Sequence, residues 1–298
     1  MERNQLTRAT GLIRRKKNHF KARLLTTSQF SQHPANDSLL SYAHNVTSQI
    51  GQDGIIQEIA KRLEISTGFF VEFGAWDGIH LSNSRQLYLK GWKGVFIEGS
   101  ESRYVDLVDN YANSQIILIN EFVSPATNSS VHKSGRILAE ILSEHLTASE
   151  IKQIDMVGID IDGLDLEVAV SLGFSPKFMV IEGGTLLNPE IDSPYPAAYD
   201  NSQHPLAYII RKLREIGYQP VCFHQDLYVV RNDLAEKVHK RAFILNAQEL
   251  YLESLALRGK EFLRWLVLQR LQDSRIKKFE QELTGIFNPN PTHTKLYL

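Results

Sequence analysis

Three places in this chain gather residues whose types and spacing can do chemistry. The first is Val71-Glu72-Phe73-Gly74-Ala75-Trp76-Asp77-Gly78, an apolar run that ends in a Gly-x-x-x-Gly turn. Glycines there let the backbone turn sharply and approach a ligand with no Cβ in the way. A dinucleotide-binding turn reads G-x-G-x-x-G and faces a pyrophosphate. This turn lacks the tripled glycine, and its acids Glu72 and Asp77 would repel phosphate. It suits a cationic ligand with an amino group, such as S-adenosylmethionine. A tight loop without a ligand is the plainer alternative.

The second place is Phe96-Ile97-Glu98-Gly99, a strand end whose acid lies about 20 residues beyond the turn, the spacing of a ribose-binding carboxylate. Glu98 can accept both hydroxyls of a ribose; a merely solvated strand-end acid is the other reading. The third is Asp160-Ile161-Asp162-Gly163-Leu164-Asp165. Asp160 and Asp162 project to the same side of an extended segment, and Asp165 opens the next helix. Crowded carboxylates either raise one another's pKa or hold a cation. A calcium EF-hand fails, because Asp165 stands where its glycine belongs and Ser171 where its bidentate glutamate belongs. Three readings stay open: a Mg2+ or Mn2+ site of Asp160, Asp162 and Glu182, helix capping by Asp162 or Asp165, and Asp160 as a base. His204, with His80 and His224, offers alternative bases. Residues 183–203 read as a long active-site loop from which Tyr195 and Tyr199 could cover a sugar ring.

These residues need elements to hold them. Nearly continuous apolar runs predict strands at Phe69–Phe73, 94–98, 116–120, 156–160, 178–181, 221–224 and 227–230. Helical patterns lie between them at 82–90, 100–111, 135–145, 164–172 and 205–216. This alternation is the mark of an α/β sheet covered on both faces. The last two strands are too close for a crossover helix, so they should form an antiparallel hairpin through Gln225-Asp226. A helix over 53–64 carries Ile55, Ile56, Ile59 and Leu63 on one face. The expected division is a basic arm over 1–46, an α/β domain over 47–235 and a helical extension over 236–298. The extension's stripe of Phe262, Trp265, Leu266 and Leu271 should cover a core or pair two subunits.

Composition excludes several classes. With 298 residues, 43% hydrophobic and 22% charged, the chain is an ordinary globular one. Its 33 Lys+Arg against 34 Asp+Glu leave a net charge of −1, so no general field advertises nucleic acid. The basic residues concentrate in the N-terminal arm, which reads as a solvated segment or a peripheral contact with an anionic surface. A single cysteine, Cys222, rules out an internal disulfide and a thiolate zinc site and suits a reducing compartment. No run reaches the roughly 18 apolar residues of a membrane helix, and the first 24 residues carry no signal-peptide core. A cytoplasmic location is expected.

The sequence resembles the FkbM-like S-adenosylmethionine-dependent methyltransferases over residues 47–231. The resemblance is carried by Ser48-Gln49 with Gln52-Asp53-Gly54-Ile55, by the turn over 71–78, and by Leu81-Ser82-Asn83. The segments 91–98 and 154–163, the latter holding the Asp-x-Asp-Gly block, complete it. It implies a Rossmann-like, seven-stranded, mostly parallel sheet with its last strand reversed. It also implies S-adenosyl-L-methionine as cofactor, with methionine over Gly74, Ala75 and Gly78, ribose on Glu98 and adenine near Glu121-Phe122-Val123. Gln49, Asp53, Glu72, Asp77, Asn83, Gly99 and Asp160 complete the implied cofactor site. The implied reaction is O-methylation of a hydroxyl on a sugar, a glycan precursor or a natural product. The Asp160-x-Asp162 pair also resembles the metal-binding pair of nucleotide-sugar glycosyltransferases, and a noncatalytic nucleotide-binding scaffold is the third reading.

Overall fold

The apolar runs become strands in chain order: β1 (Phe69–Phe73), β2 (Lys93–Ile97), β3 (Ile117–Ile119), β6 (Met156–Ile159), β7 (Phe178–Glu182), β8 (Tyr218–His224) and β9 (Asp226–Arg231). Two further two-residue strands, β4 (Val123–Ser124) and β5 (Arg136–Ile137), pair with each other in parallel. The computed structural model describes residues 38–125, 135–161, 163–183, 189–194, 204–251 and 253–254. These fall in one compact unit, Ala35–Ser254. Asp162, Tyr195, Tyr199, the basic arm and the stripe from Phe262 to Leu271 lie outside the described residues.

The seven-stranded sheet runs β3-β2-β1-β6-β7-β9-β8. Pairs from β3 through β7 are parallel, whereas β9 is antiparallel to both β7 and β8. Counting only these strands, the order is that of a Rossmann sheet with one reversed strand inserted beside the edge. The expected seven-stranded sheet with a reversed last strand is therefore present. Its core strands are buried on both faces, with Phe70, Val71, Val95, Phe96, Val157 and Met179 all fully enclosed. Such burial explains why their sequences are apolar without alternation.

The α-helices in chain order are α1 (Gln52–Arg62), ahead of the first strand, then α2 (Arg85–Leu89), α3 (Glu101–Tyr111), α4 (Leu138–Ser143), α5 (Ala148–Ile151), α6 (Asp165–Val170), α7 (Leu206–Glu215) and α8 (Ala235–Val238). In α7, Leu206, Ile209, Ile210 and Leu213 are buried, the i, i+3, i+4, i+7 face that a sheet-covering helix needs. In α1, Ile55, Ile56 and Ile59 are buried while Leu63 stays half-buried just past the helix end. Several expected bounds shift: β8 begins at Tyr218 rather than at 221, and the helix expected from 82 begins at Arg85. The helix expected from residue 135 begins only at Leu138, because Arg136 first donates its N–H to the Phe122 carbonyl at 2.8 Å and pairs with β4. The hairpin turns on Gln225 alone, at φ 63°, and Asp226 belongs to β9. Cys222 is a free thiol buried in β8. No helix among the described residues is long and apolar enough to cross a membrane.

Candidate functional site

The order of strands reverses between β1 and β6, and in such sheets the crevice beyond the carboxyl ends at that point is where ligands bind. Phe73 of β1 lies in register with Ile97 of β2 and Ile159 of β6. The next residues, Gly74, Glu98 and Asp160, therefore emerge side by side. Gly74 has φ 72°, and a Cβ built on it would lie 2.2 Å from the Asp160 carbonyl oxygen. Glycine is required here by the close approach of two strand ends. Gly78, at φ 70°, is required by packing, since a Cβ would lie 2.6 Å from the Tyr111 ring. The Tyr111 hydroxyl donates to the Gly78 carbonyl at 2.6 Å, which ties the turn to α3.

Glu98 is buried and bridges the turn to the following helix. Its Oε2 accepts the Trp76 N–H at 2.8 Å and its Oε1 the Ser100 N–H at 2.7 Å. A carboxylate oxygen can accept more than one hydrogen bond, so this anchoring leaves acceptor capacity on both oxygens. Beside it, Phe122 is 51% exposed and its ring lies against Gly99, where a Cβ would stand 2.3 Å from Cδ1. Glu121 pairs with Arg136 at 3.4 Å.

The other acids of this half serve loops. Glu72 accepts the Ser82 hydroxyl at 2.9 Å, the Asn83 N–H at 3.0 Å and the Ser84 N–H at 2.9 Å. Burial pushes its carboxyl up, against the pull of those bonds. Asp77 accepts the N–H groups of Ile79 and His80 at 2.8 and 2.6 Å, closing the turn on itself. Asp53 holds three amides on one oxygen, those of Val46, Thr47 and Ser48 at 2.7, 2.8 and 2.9 Å. Gln49 is half-buried in that loop and accepts from the Asn45 side chain through its carbonyl. Asn83 is buried, with no partner for its Oδ1. Ala75 is buried and its N–H donates to the Ile97 carbonyl at 3.2 Å.

Across the switch point a second cluster forms. Asp160, Asp165 and Glu182 bring carboxylate oxygens within 4.8 Å of one another. Asp160 is exposed, Asp165 buried and Glu182 half-buried. Asp165 accepts the N–H groups of Ile161 and Gly163 at 2.8 and 2.9 Å, closing the loop before α6. Burial still pushes its carboxyl up to about 7, opposed by the Ile161 amide and aided by the charge of Asp160. Asp226 stands opposite Glu182 in the β7–β9 register and takes a hydrogen bond from Gln52 Nε2 at 3.1 Å. Burial, with the Asp160 charge, raises it to about 7 as well. Asp226 escapes a reading of the sequence because a lone acid beside a hairpin turn looks like a turn former; only strand pairing brings it to the carboxyl edge.

His204 is not among these acids. Its Nε2 lies 2.8 Å from Glu167 Oε1 on α6, and its ring tilts against Tyr208 at 5.0 Å. Burial is the largest single influence on the Glu167 carboxyl and acts to raise it, but the His204 contact and the residue's own backbone amide together bring the net shift downward. His224 is buried with Nδ1 3.2 Å from the Ser254 hydroxyl, and His80 is exposed, edge-on to Trp76.

No family profile matches the chain, and no curated protein matches it. Among solved structures it is similar to the plantazolicin methyltransferase BamL, determined in complex with a triazolic desmethylPZN analog and SAH, at 12% identity. That likeness covers 74% of this chain and 81% of that one, with a TM-score of 0.27, too small an overlap to bear on activity.

Proposed function

We propose that the chain is an S-adenosylmethionine-dependent methyltransferase acting on a hydroxyl of a sugar, glycan precursor or natural product. One observation carries the cofactor part: a buried carboxylate, Glu98, held by one amide from the glycine turn and one from the start of α3, at the switch point of a Rossmann-order sheet. That is the place and the chemistry for a ribose diol, with Gly74 and Ala75 toward the methionine end and Phe122 toward the base. The hydroxyl acceptor follows from the FkbM-like resemblance.

When bound, the sulfonium cofactor supplies a methyl group already activated for transfer. The chain's own task is then to orient the acceptor and take its proton. Asp160, exposed at the end of β6 beside Gly74, is the residue placed to do so, directly or through a cation. The all-carboxylate set of Asp160, Asp165 and Glu182 fits a hard ion such as Mg2+ or Mn2+ by donor type. Asp165 would be its weaker donor, since two amides already occupy it.

Calorimetry with S-adenosylhomocysteine tests the cofactor part: Glu98→Ala should weaken binding by about 1.5–3 kcal/mol, the worth of hydrogen bonds to a charged group. Unchanged affinity removes Glu98 from the site. A screen of sugars and glycan precursors with labelled methyl donor tests the acceptor. In that assay, loss of turnover on chelation with cofactor binding intact assigns the carboxylates to a cation. Turnover that survives chelation but falls in Asp160→Asn by about 100-fold or more assigns Asp160 as the base.

A further inference from the structure

We infer that Trp76 is a wall of the Glu98 site, its indole packing against the nucleoside whose ribose Glu98 accepts; this rests on the cofactor reading above. Four non-glycine residues among those described have a left-handed backbone: Glu64, Trp76, Leu81 and Gln225. Glu64 and Gln225 are polar residues just beyond a helix end and at a hairpin turn. Trp76, at φ 50°, is a bulky residue in a conformation that glycine would adopt without steric cost.

Core packing does not account for it. Trp76 is 37% exposed, whereas Trp92 is 3% exposed. Its position is nonetheless held from several sides. The backbone N–H is bonded to Glu98 Oε2 at 2.8 Å. The Arg103 guanidinium, in the first turn of α3, lies over the ring at 4.9 Å, and the His80 ring meets it edge-on at 5.2 Å. On the next residue after Glu98, Gly99, rests the exposed Phe122 ring. One hydroxyl-accepting carboxylate thus has an exposed aromatic on the turn bonded to it and a second against its chain neighbour. A nucleoside, with a diol on one part and flat apolar faces on the rest, is complementary to that arrangement. Strained backbone held in place by its surroundings gathers at ligand sites, and Trp76 matches that pattern.

Calorimetry and thermal melts of the full chain test the assignment. Trp76→Gly relieves the backbone and should melt no lower than the parent, yet bind S-adenosylhomocysteine roughly tenfold more weakly, the loss expected for one stacking ring. Trp76→Tyr keeps a ring and should bind within about threefold of the parent. Equal affinity of Trp76→Gly and the parent overturns the inference and leaves the cofactor reading standing, as does a Tyr variant as weak as the Gly variant. A parent chain that binds no S-adenosylhomocysteine overturns the cofactor reading and this inference together. Should the Gly variant not fold, the parent's indole emission decides: it should change on saturation with ligand, and the change should vanish in Trp76→Tyr. No change in the parent at saturation counts against Trp76.

Discussion

Glu72 and Glu98, on the β1–β2 half of the carboxyl edge, are buried acids whose oxygens are covered by backbone amides and a serine hydroxyl. Asp160, Asp165, Glu182 and Asp226, on the β6–β7–β9 half, are acids that face one another. In the first half, amide and hydroxyl donors hold each carboxylate, which fastens a loop, although burial pushes Glu72 up against them. In the second half burial, with the charge of Asp160 added, pushes Asp165 and Asp226 up to about 7, even though Asp165 accepts two amides and Asp226 the Gln52 side chain. The same residue type thus closes loops on one side and crowds carboxylates together on the other.

The strongest way to break this contrast is at the seam between the halves. Gly74→Val puts a branched side chain at φ 72° and into the Asp160 carbonyl, which a Cβ alone would meet at 2.2 Å. Its unfolding free energy should fall by about 3 kcal/mol or more. A urea titration matching the parent would show that the two strand ends do not meet as described.

Next is the fastener itself. Glu72→Ala leaves two buried amides and the Ser82 hydroxyl without their acceptor. The expected cost is about 3 kcal/mol, and Glu72→Gln, which keeps one oxygen, should lose less. Equal melting of all three proteins would mean that the 82–84 loop holds without the carboxylate.

The smallest effect sharpens the other half. A carboxyl raised from 3.8 to about 7 binds more protons folded than unfolded between those values. Its contribution to stability is full below the lower value and is lost as pH rises through the upper one. Asp226→Asn removes that loss while Gln52 can still donate to the remaining oxygen. The variant should gain about 1–2 kcal/mol on the parent at pH 8 and little at pH 4. Denaturation at the two pH values checks this; a gain independent of pH would locate the benefit outside Asp226 ionisation.

Much of this was legible in the residues. The strand runs are nearly continuous in Val, Ile, Phe and Met, so the seven strands and the hairpin follow from apolar patterning and loop length. The glycine turn, Glu98 and Asp160 follow from their places at the ends of those runs. Less legible were the roles within the turn. Glu72, Asp77 and Asp53 look like ligand acids in one dimension, yet each has its carboxylate turned on backbone amides of its own or a nearby loop. Gly78 looks like a ligand-facing glycine, yet it is Tyr111 that needs the room. Trp76 was hidden because it interrupts a glycine-spaced turn, and nothing local says that its backbone is left-handed.

What the sequence determined alone is the seven strands of the main sheet and the longer helices between them, because burial on both faces selects apolar residues strand by strand and helix spacing is a local property; the short β4–β5 pair left no such mark. What only the tertiary structure decided is which acids meet. Asp226 lies far along the chain from Asp160 and Glu182, and reaches them only because β9 runs backward beside β7 and sets Asp226 opposite Glu182. Local patterning carries no record of that pairing, since it arises from strand order and direction, and charge repulsion and burial act through space.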